Sequence, residues 1–152
     1  MIVEAFGPEH LEEVTALTRQ NMLESFPHLK YDEGKMEREL DNCLNCRGGV
    51  TAFIAVHGGE VLGYLMANAR EHAFAHGIVV SLRGLYVRPQ SRGTSAAFRL
   101  MLVFKDYAKQ VGAVETHVGV TSGYHVEQAR RFFEKLGYSY VGPLLLMKGD
   151  NE

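Results

Sequence analysis

The run Leu85-Tyr86-Val87-Arg88-Pro89-Gln90-Ser91-Arg92-Gly93-Thr94-Ser95-Ala96-Ala97-Phe98-Arg99-Leu100 reads as a strand that passes through a turn of small residues into a helix. A diphosphate needs several backbone N–H groups converging on it, and a helix N-terminus supplies them together with the positive end of its dipole. Side chains larger than Ala or Ser would hold a phosphate away from those amides, so Gly93-Thr94-Ser95-Ala96-Ala97 permits the close approach such a group requires. Arg92 can add a charge-assisted contact. A turn of small residues is also an ordinary tight connection, so its chemistry depends on what surrounds it.

The surrounding elements follow from hydrophobic period and turn residues. Residues 2–6 alternate as a short strand, Gly7-Pro8 breaks it, and Leu11, Val14, Leu17 and Thr18 repeat at helical spacing up to Phe26. A more charged helix runs from Asp32 to Leu44, with Met36, Leu40 and Leu44 on one stripe. The period then changes to two: Thr51 to Val56 and Val61 to Ala67 read as strands joined through His57-Gly58-Gly59-Glu60, and Ile78 to Val87 follows as a third. A helix is expected over residues 95–111 and a strand from Val114 to Val120. The next helix, 126–136, is closed by Leu136-Gly137, and Tyr138 to Val141 and Leu144 to Lys148 read as the last strands.

The order β-α-α-β-β-β-α-β-α-β-β predicts an α/β (α+β) fold with a mixed, mostly antiparallel sheet. Its one strand–helix–strand crossover places strands 78–87 and 114–120 side by side in parallel, as a central, splayed pair with a cleft beyond their C-terminal ends. One domain over residues 1–152 is the expectation for a chain of this length.

Sixteen Lys and Arg against 18 Asp and Glu leave a formal charge of −2, without the cationic excess that a nucleic-acid surface needs. No window approaches the roughly 20 apolar residues of a membrane span, and the start of the chain has no basic segment leading into an apolar one, which predicts a cytoplasmic protein. Cys43 and Cys46 form a C-x-x-C with no second pair of ligands, and no metal site is expected.

The turn and its approach resemble the acyl-CoA loop of the GNAT superfamily of N-acetyltransferases. In that pattern, Arg or Gln is followed by two residues, Gly, one residue, then Gly or Ala. Arg92-Gly93-Thr94-Ser95-Ala96-Ala97 matches at Arg92 and at the final Ala, with Ser95 standing where Gly is usual. Downstream, Ala129-Arg130-Arg131-Phe132-Phe133-Glu134-Lys135-Leu136-Gly137-Tyr138 is similar to the family's A-x-x-F-Y-E-K-L-G-F/Y segment, although taken alone an amphipathic helix with a Gly cap is the reading to favour. The short length and the variant loop also resemble members carried by bacteriophages.

The resemblance implies acetyl-CoA as acyl donor, a primary amine as acceptor, and a homodimer as one assembly. It implies that Leu85, Tyr86 and Val87 line the pantetheine arm, that amides from Arg92 to Ala97 hold the diphosphate, and that Ser122 and Phe133 border the cofactor. A Glu at Ala96 should then block the anion while sparing the fold.

Two side chains depart from the pattern. The family's frequent basic Glu corresponds to Ser81, and its frequent acidic Tyr corresponds to Phe133. Substitutes are sought in His117 and Glu115 on the parallel strand, in Tyr124 and His125 after it, and in Tyr138. Histidine is the side chain that changes protonation near neutral pH, although His117 is also readable as an ordinary strand residue and Tyr138 as packing beneath the cleft. The competing reading is a CoA-binding sensor or scaffold without turnover. Asp32, Glu33, Glu37 and Glu39 are candidates to attract a cationic amine, and a solvated helix face explains them too.

Overall fold

A computed structural model describes residues 1–149. It divides into two compact units, Met1–His117 and Val118–Glu152.

The first unit contains β1 (Ile2–Ala5), α1 (Leu11–Ser25), α2 (Glu33–Leu44), β2 (Val50–His57), β3 (Glu60–Glu71), β4 (Ile78–Val87), α3 (Ala96–Gln110) and β5 (Ala113–His117). The strands form one sheet in the order β1-β2-β3-β4-β5. Every neighbouring pair is antiparallel except β4 and β5, which the α3 crossover makes parallel. The predicted mixed sheet with one parallel pair is therefore present, at the edge of the described sheet rather than at its centre. The β2–β3 hairpin turns through Gly58 and Gly59, with φ of 58° and 79°; two successive left-handed residues match the twist of a two-residue hairpin, and glycine adopts them without a Cβ penalty.

Alternation divides the sheet into two faces. Ala52 and Ile54 of β2, Tyr64 and Met66 of β3 and Tyr86 of β4 join Val14 and Leu17 of α1 and Leu40 and Cys43 of α2 in one buried cluster. The other face carries α3, which buries Leu100, Met101, Phe104 and Ala108 against β2, β3 and β4. Leu11, expected in the apolar stripe of α1, is exposed instead.

Asp32 caps α2 through its carboxylate, which accepts the Lys35 N–H at 3.0 Å. This bond holds the Asp32 carboxyl below its usual range, with smaller help from the charges of Lys35 and Arg38. A carboxylate depressed by folding contributes stability above its unfolded pKa and loses it as pH falls through the folded one. Asp32→Ala should therefore lower the melting temperature at neutral pH, with the gap to wild type closing in acid, as a pH series of thermal melts would register.

The second unit contains α4 (Val126–Lys135). Gly137 donates to the Glu134 carbonyl at 3.0 Å and Tyr138 to that of Phe133 at 3.1 Å, the glycine cap expected there. The segments Tyr138–Val141 and Leu144–Lys148 form no strand, and β5 stops at His117 rather than Val120. Alternating apolar residues make a strand only where a neighbour accepts their hydrogen bonds; Val141 and Met147 are instead 98 % and 93 % exposed.

Candidate active site

β4 is the axis of the site. It pairs with β3 from Ile78 to Val87 but with β5 only from Ile78 to Ser81, so beyond Ser81 one side of the strand has no neighbouring strand among the described residues. The β3–β4 register shifts beside Met66, leaving Arg83 as an extra residue close to where β5 ends.

In an antiparallel ladder a residue's N–H and C=O face the same neighbour, and successive residues alternate. Arg88 donates to the Leu62 carbonyl at 2.9 Å, so alternation directs Tyr86 at β3 and turns the peptide groups of Leu85 and Val87 to the open side. One of those groups is taken: the Val87 carbonyl accepts Arg92 Nε at 3.0 Å. The N–H and C=O of Leu85 and the N–H of Val87 remain for a ligand lying along the strand.

The turn after β4 is tied from within. The Thr94 hydroxyl donates to the Ser91 carbonyl at 2.6 Å and accepts the Ala96 N–H at 3.3 Å, and the Arg92 N–H donates to Pro89 at 3.3 Å. Gly93 turns through φ of 82°, a region that favours glycine. The N–H groups of Gly93, Thr94, Ser95 and Ala97 donate to no acceptor among the described residues, so the amides offered to an anion are these rather than the whole run from 92 to 97. The Ala96 side chain is 0 % exposed in the α3 core, so a Glu there would disrupt packing, contrary to the sequence expectation.

Arg92 is already engaged. Its guanidinium grips Glu24 of α1 with both terminal nitrogens, at 2.7 and 2.9 Å, and lies 5.3 Å from the Tyr86 ring centroid. The Tyr86 hydroxyl donates to the same carboxylate at 2.8 Å. Burial, then the bond and charge of Glu24, push the Tyr86 phenol up to about 12. An anion at the turn must compete with Glu24 for Arg92. Accordingly, Glu24→Gln should tighten CoA binding by about threefold or more and Arg92→Ala weaken it by about tenfold, both read by calorimetry.

Sequence reasoning missed Arg99. It lies in the first turn of α3, where the helix dipole disfavours a cation, and reaches back to Ser95 Oγ at 3.0 Å and the Met1 carbonyl at 3.1 Å. The available signal was a basic residue at a helix start that has no acidic one.

A row of side chains crosses the sheet where β5 ends. Val50 of β2 opposes Asn68 of β3, Asn68 opposes Ser81 of β4, and Ser81 opposes His117 of β5, so all share one face. Val50 belongs to the core under α1 and α2, which identifies that face. His117 Nε2 lies 2.8 Å from Glu115 Oε2. A carboxylate can only accept, so Nε2 donates and Nδ1 of the neutral ring is left to take a proton. Asn68 Oδ1 is buried without a hydrogen-bond partner. On α2, Glu33 and Glu39 pair with Arg19 and Arg83 and Asp32 caps the helix, which leaves the predicted acidic attraction largely neutralised.

The remaining candidates lie in the second unit. The Ser122 hydroxyl accepts the Tyr124 N–H at 3.2 Å, and the Tyr124 ring is exposed. His125 heads α4 at φ of 52°. Phe133 is buried against Phe132 and Tyr138, at ring-centroid distances of 5.6 and 6.2 Å. The Tyr138 hydroxyl is buried and unpartnered, and that burial pushes its phenol up.

This fold has close relatives among solved structures. AAC(6')-Iy in complex with the bisubstrate analog CoA-S-monomethyl-acetylneamine superposes with a TM-score of 0.79 at 18% identity, covering 99% of this chain and 98% of that one. A transcriptional regulator from Bacillus halodurans C-125 reaches 0.78 at 17% identity, over 97% of this chain and 99% of that one. A ribosomal-protein-alanine N-acetyltransferase from Brucella melitensis biovar Abortus 2308 reaches 0.76 at 14% identity, over 97% and 98%. At such identities the likeness is one of fold. No curated protein is significantly similar in sequence. No helix among the described residues is long and apolar enough to cross a membrane. The family described as acetyltransferase (GNAT) matches residues 11–138, which take in β4, the turn, β5 and α4. The chain therefore belongs to the acetyltransferase (GNAT) family and is an acyltransferase whose acyl group comes from coenzyme A.

Proposed function

We propose that the protein transfers the acetyl group of acetyl-CoA to a primary amine of a small molecule or protein. The observation that carries this reading is the open side of β4 at Leu85 and Val87, which leads directly to the unpaired amides of Gly93, Thr94, Ser95 and Ala97. An extended amide arm pairs with a strand edge, and a diphosphate with a helix start, so the two features suit the two halves of coenzyme A. Arg92 and Arg99 add charge, and Ser122 and Phe133 remain candidates for the cofactor's border. The neighbours named as an aminoglycoside N-acetyltransferase and a ribosomal-protein-alanine N-acetyltransferase both act on nitrogen, which supports an amine acceptor.

In the proposed reaction the amine nitrogen attacks the thioester carbon, a C–N bond forms, the C–S bond breaks, and its electron pair leaves on sulfur. His117 Nδ1 takes the amine's proton, with Glu115 fixing the ring. Tyr138 is the candidate acid, because burial keeps its phenol in the protonated form that can donate to the departing sulfur. Tyr124, exposed in the loop before α4, is the second candidate.

The family match crosses the junction at His117 and Val118, which supports treating residues 1–152 as one acyltransferase domain. The exposed run Leu144–Met147 supports a homodimer, whose mass light scattering would report. The free thiols of Cys43 and Cys46 fit a reducing cytoplasm.

Thermal shift with acetyl-CoA, CoA and dephospho-CoA tests the donor site, and thiol release with a panel of primary amines, peptides and nucleotides tests the transfer. Ser81 and Phe133, which replace the family's usual base and acid, keep a sensor without turnover as the rival. Tight CoA binding with no acceptor-dependent thiol release would decide for that rival.

A further inference from the structure

Gly84 stands in the interior of β4, where a glycine weakens the strand and packs no side chain. Gly63 on the neighbouring strand is required by crowding, since a Cβ there would meet the Tyr86 carbonyl oxygen at 2.5 Å. Gly84 has neither such crowding nor a positive φ. Apart from its chain neighbours, a Cβ at Gly84 would touch only the Tyr64 ring among the described residues, at 3.8 Å. Gly84 opposes Met66, which with Tyr64 belongs to the core under α1 and α2, so the unfilled space lies on that face. Part of the Gly84 surface is open to solvent. A strand glycine that the backbone does not need marks a place where a ligand comes close.

Arg83 borders that space. It is the extra residue of the β4 bulge, a device that re-aims a side chain, and its guanidinium turns toward α2, where Nη1 donates to Glu39 Oε1. The pair fixes the side chain without exhausting it. Nε and Nη2 donate to no acceptor among the described residues, and the side chain is 43 % exposed. Those two nitrogens form one edge of the guanidinium, with parallel donors spaced for the two oxygens of a carboxylate. With a diphosphate at the turn and the pantetheine arm along Val87 and Leu85, the acyl end of the donor lies beside Leu85, next to Gly84. Arg83 is two residues from Leu85, about 7 Å along the strand. An acceptor that meets the acyl carbon over Gly84 therefore has a fixed cation within a few bonds of its amine. That cation repels a second ammonium and attracts an anion.

We propose that the acceptor is a primary amine that also carries a carboxylate, with its short carbon chain over Gly84 and its carboxylate on Nε and Nη2 of Arg83. This inference rests on the acyl-transfer reading for what the amine then does, but the carboxylate subsite is testable without turnover. Arg83 is thereby a specificity residue for the acceptor and not for the donor.

The experiment uses glycine, β-alanine and γ-aminobutyrate on the full-length protein, each beside its own amide. The best of the acids should exceed its amide by at least about tenfold in kcat/KM. Arg83→Gln should bring that ratio within about threefold while the KM for acetyl-CoA stays within about twofold, and Arg83→Lys, which keeps the charge, should retain at least about threefold. An Arg kept only to hold α2 would slow acid and amide alike and leave the ratio unmoved. Gly84→Ala should raise the acceptor KM by at least about threefold with no fall in melting temperature, because the methyl fills the space and suits the strand better than glycine. Independently, the Arg83 Nε–H signal, assigned in nitrogen-15 spectra by its loss in Arg83→Gln, should move saturably when the N-acetylated acids are added to the CoA-loaded wild type, and not with their amides. Where thiol is released, acids no better than their amides, or a preference that survives in Arg83→Gln, overturns the proposal. So does an Nε–H signal indifferent to all three N-acetylated acids. If the signal answers to the acids alone but no amine releases thiol, the subsite stands and the transfer reading falls.

Discussion

Ser95→Glu should weaken CoA binding by at least about 100-fold without lowering the melting temperature of the free protein. Ser95 is exposed at the start of α3, and its hydroxyl caps none of the helix amides, so replacing it sacrifices no cap. A carboxylate there is favourable to the helix itself, because it meets the positive end of the dipole, and it lies within reach of Arg99. It also occupies with a negative charge the place where the N–H groups of Gly93, Thr94 and Ala97 are left for an anion. The same substitution therefore acts in opposite directions on folding and on ligand binding, which separates a site effect from a folding effect. Calorimetry with CoA beside a thermal melt of the unliganded protein measures both. Undiminished CoA affinity would remove the anion site from this turn.

His117→Ala should reduce kcat by about 100-fold to 10,000-fold, the range lost with a general base, while the thermal shift given by acetyl-CoA is retained. Glu115→Gln should cost less, because the amide can still engage Nε2 while the charge is lost. The register supplies a rescue. Ser81 lies directly across from His117, and the resemblance puts a Glu at that position in many relatives, so Ser81→Glu in the His117→Ala background should recover at least about tenfold of the lost rate. A His117→Ala enzyme with full activity toward every amine would remove the histidine from the mechanism and leave the proton to water.

The turn after β4 was legible because its rules are local. Small residues, a glycine with positive φ and an abrupt change from period two to helical period are all contained in residues 85–100, and the structure has β4, the turn and α3 in that order. The family resemblance read from Arg92–Ala97 and Ala129–Tyr138 is borne out by the match over residues 11–138. What this reading overstated was the number of free amides: the Thr94 hydroxyl and the Pro89 carbonyl each take one, and neither contact follows from residue sizes. The two C-terminal segments show the opposite limit. Their alternation is genuine, but a strand is defined by its partner, and Tyr138–Val141 and Leu144–Lys148 pair with none among the described residues.

The sequence by itself determined the kinds and order of the elements as far as α4, the hairpin at Gly58-Gly59 and the α3 crossover that makes β4 and β5 parallel. Those features depend on neighbours a few residues apart, where period, backbone sterics and capping decide. Only the tertiary structure decided that Glu24, 68 positions from Arg92, captures its guanidinium, that Ala96 is sealed in the core, and that Asn68, Ser81 and His117 share a row. A strand's register is settled by the sum of its hydrogen bonds and buried side chains over the whole sheet. A slip of one residue would turn every side chain in that row to the opposite face.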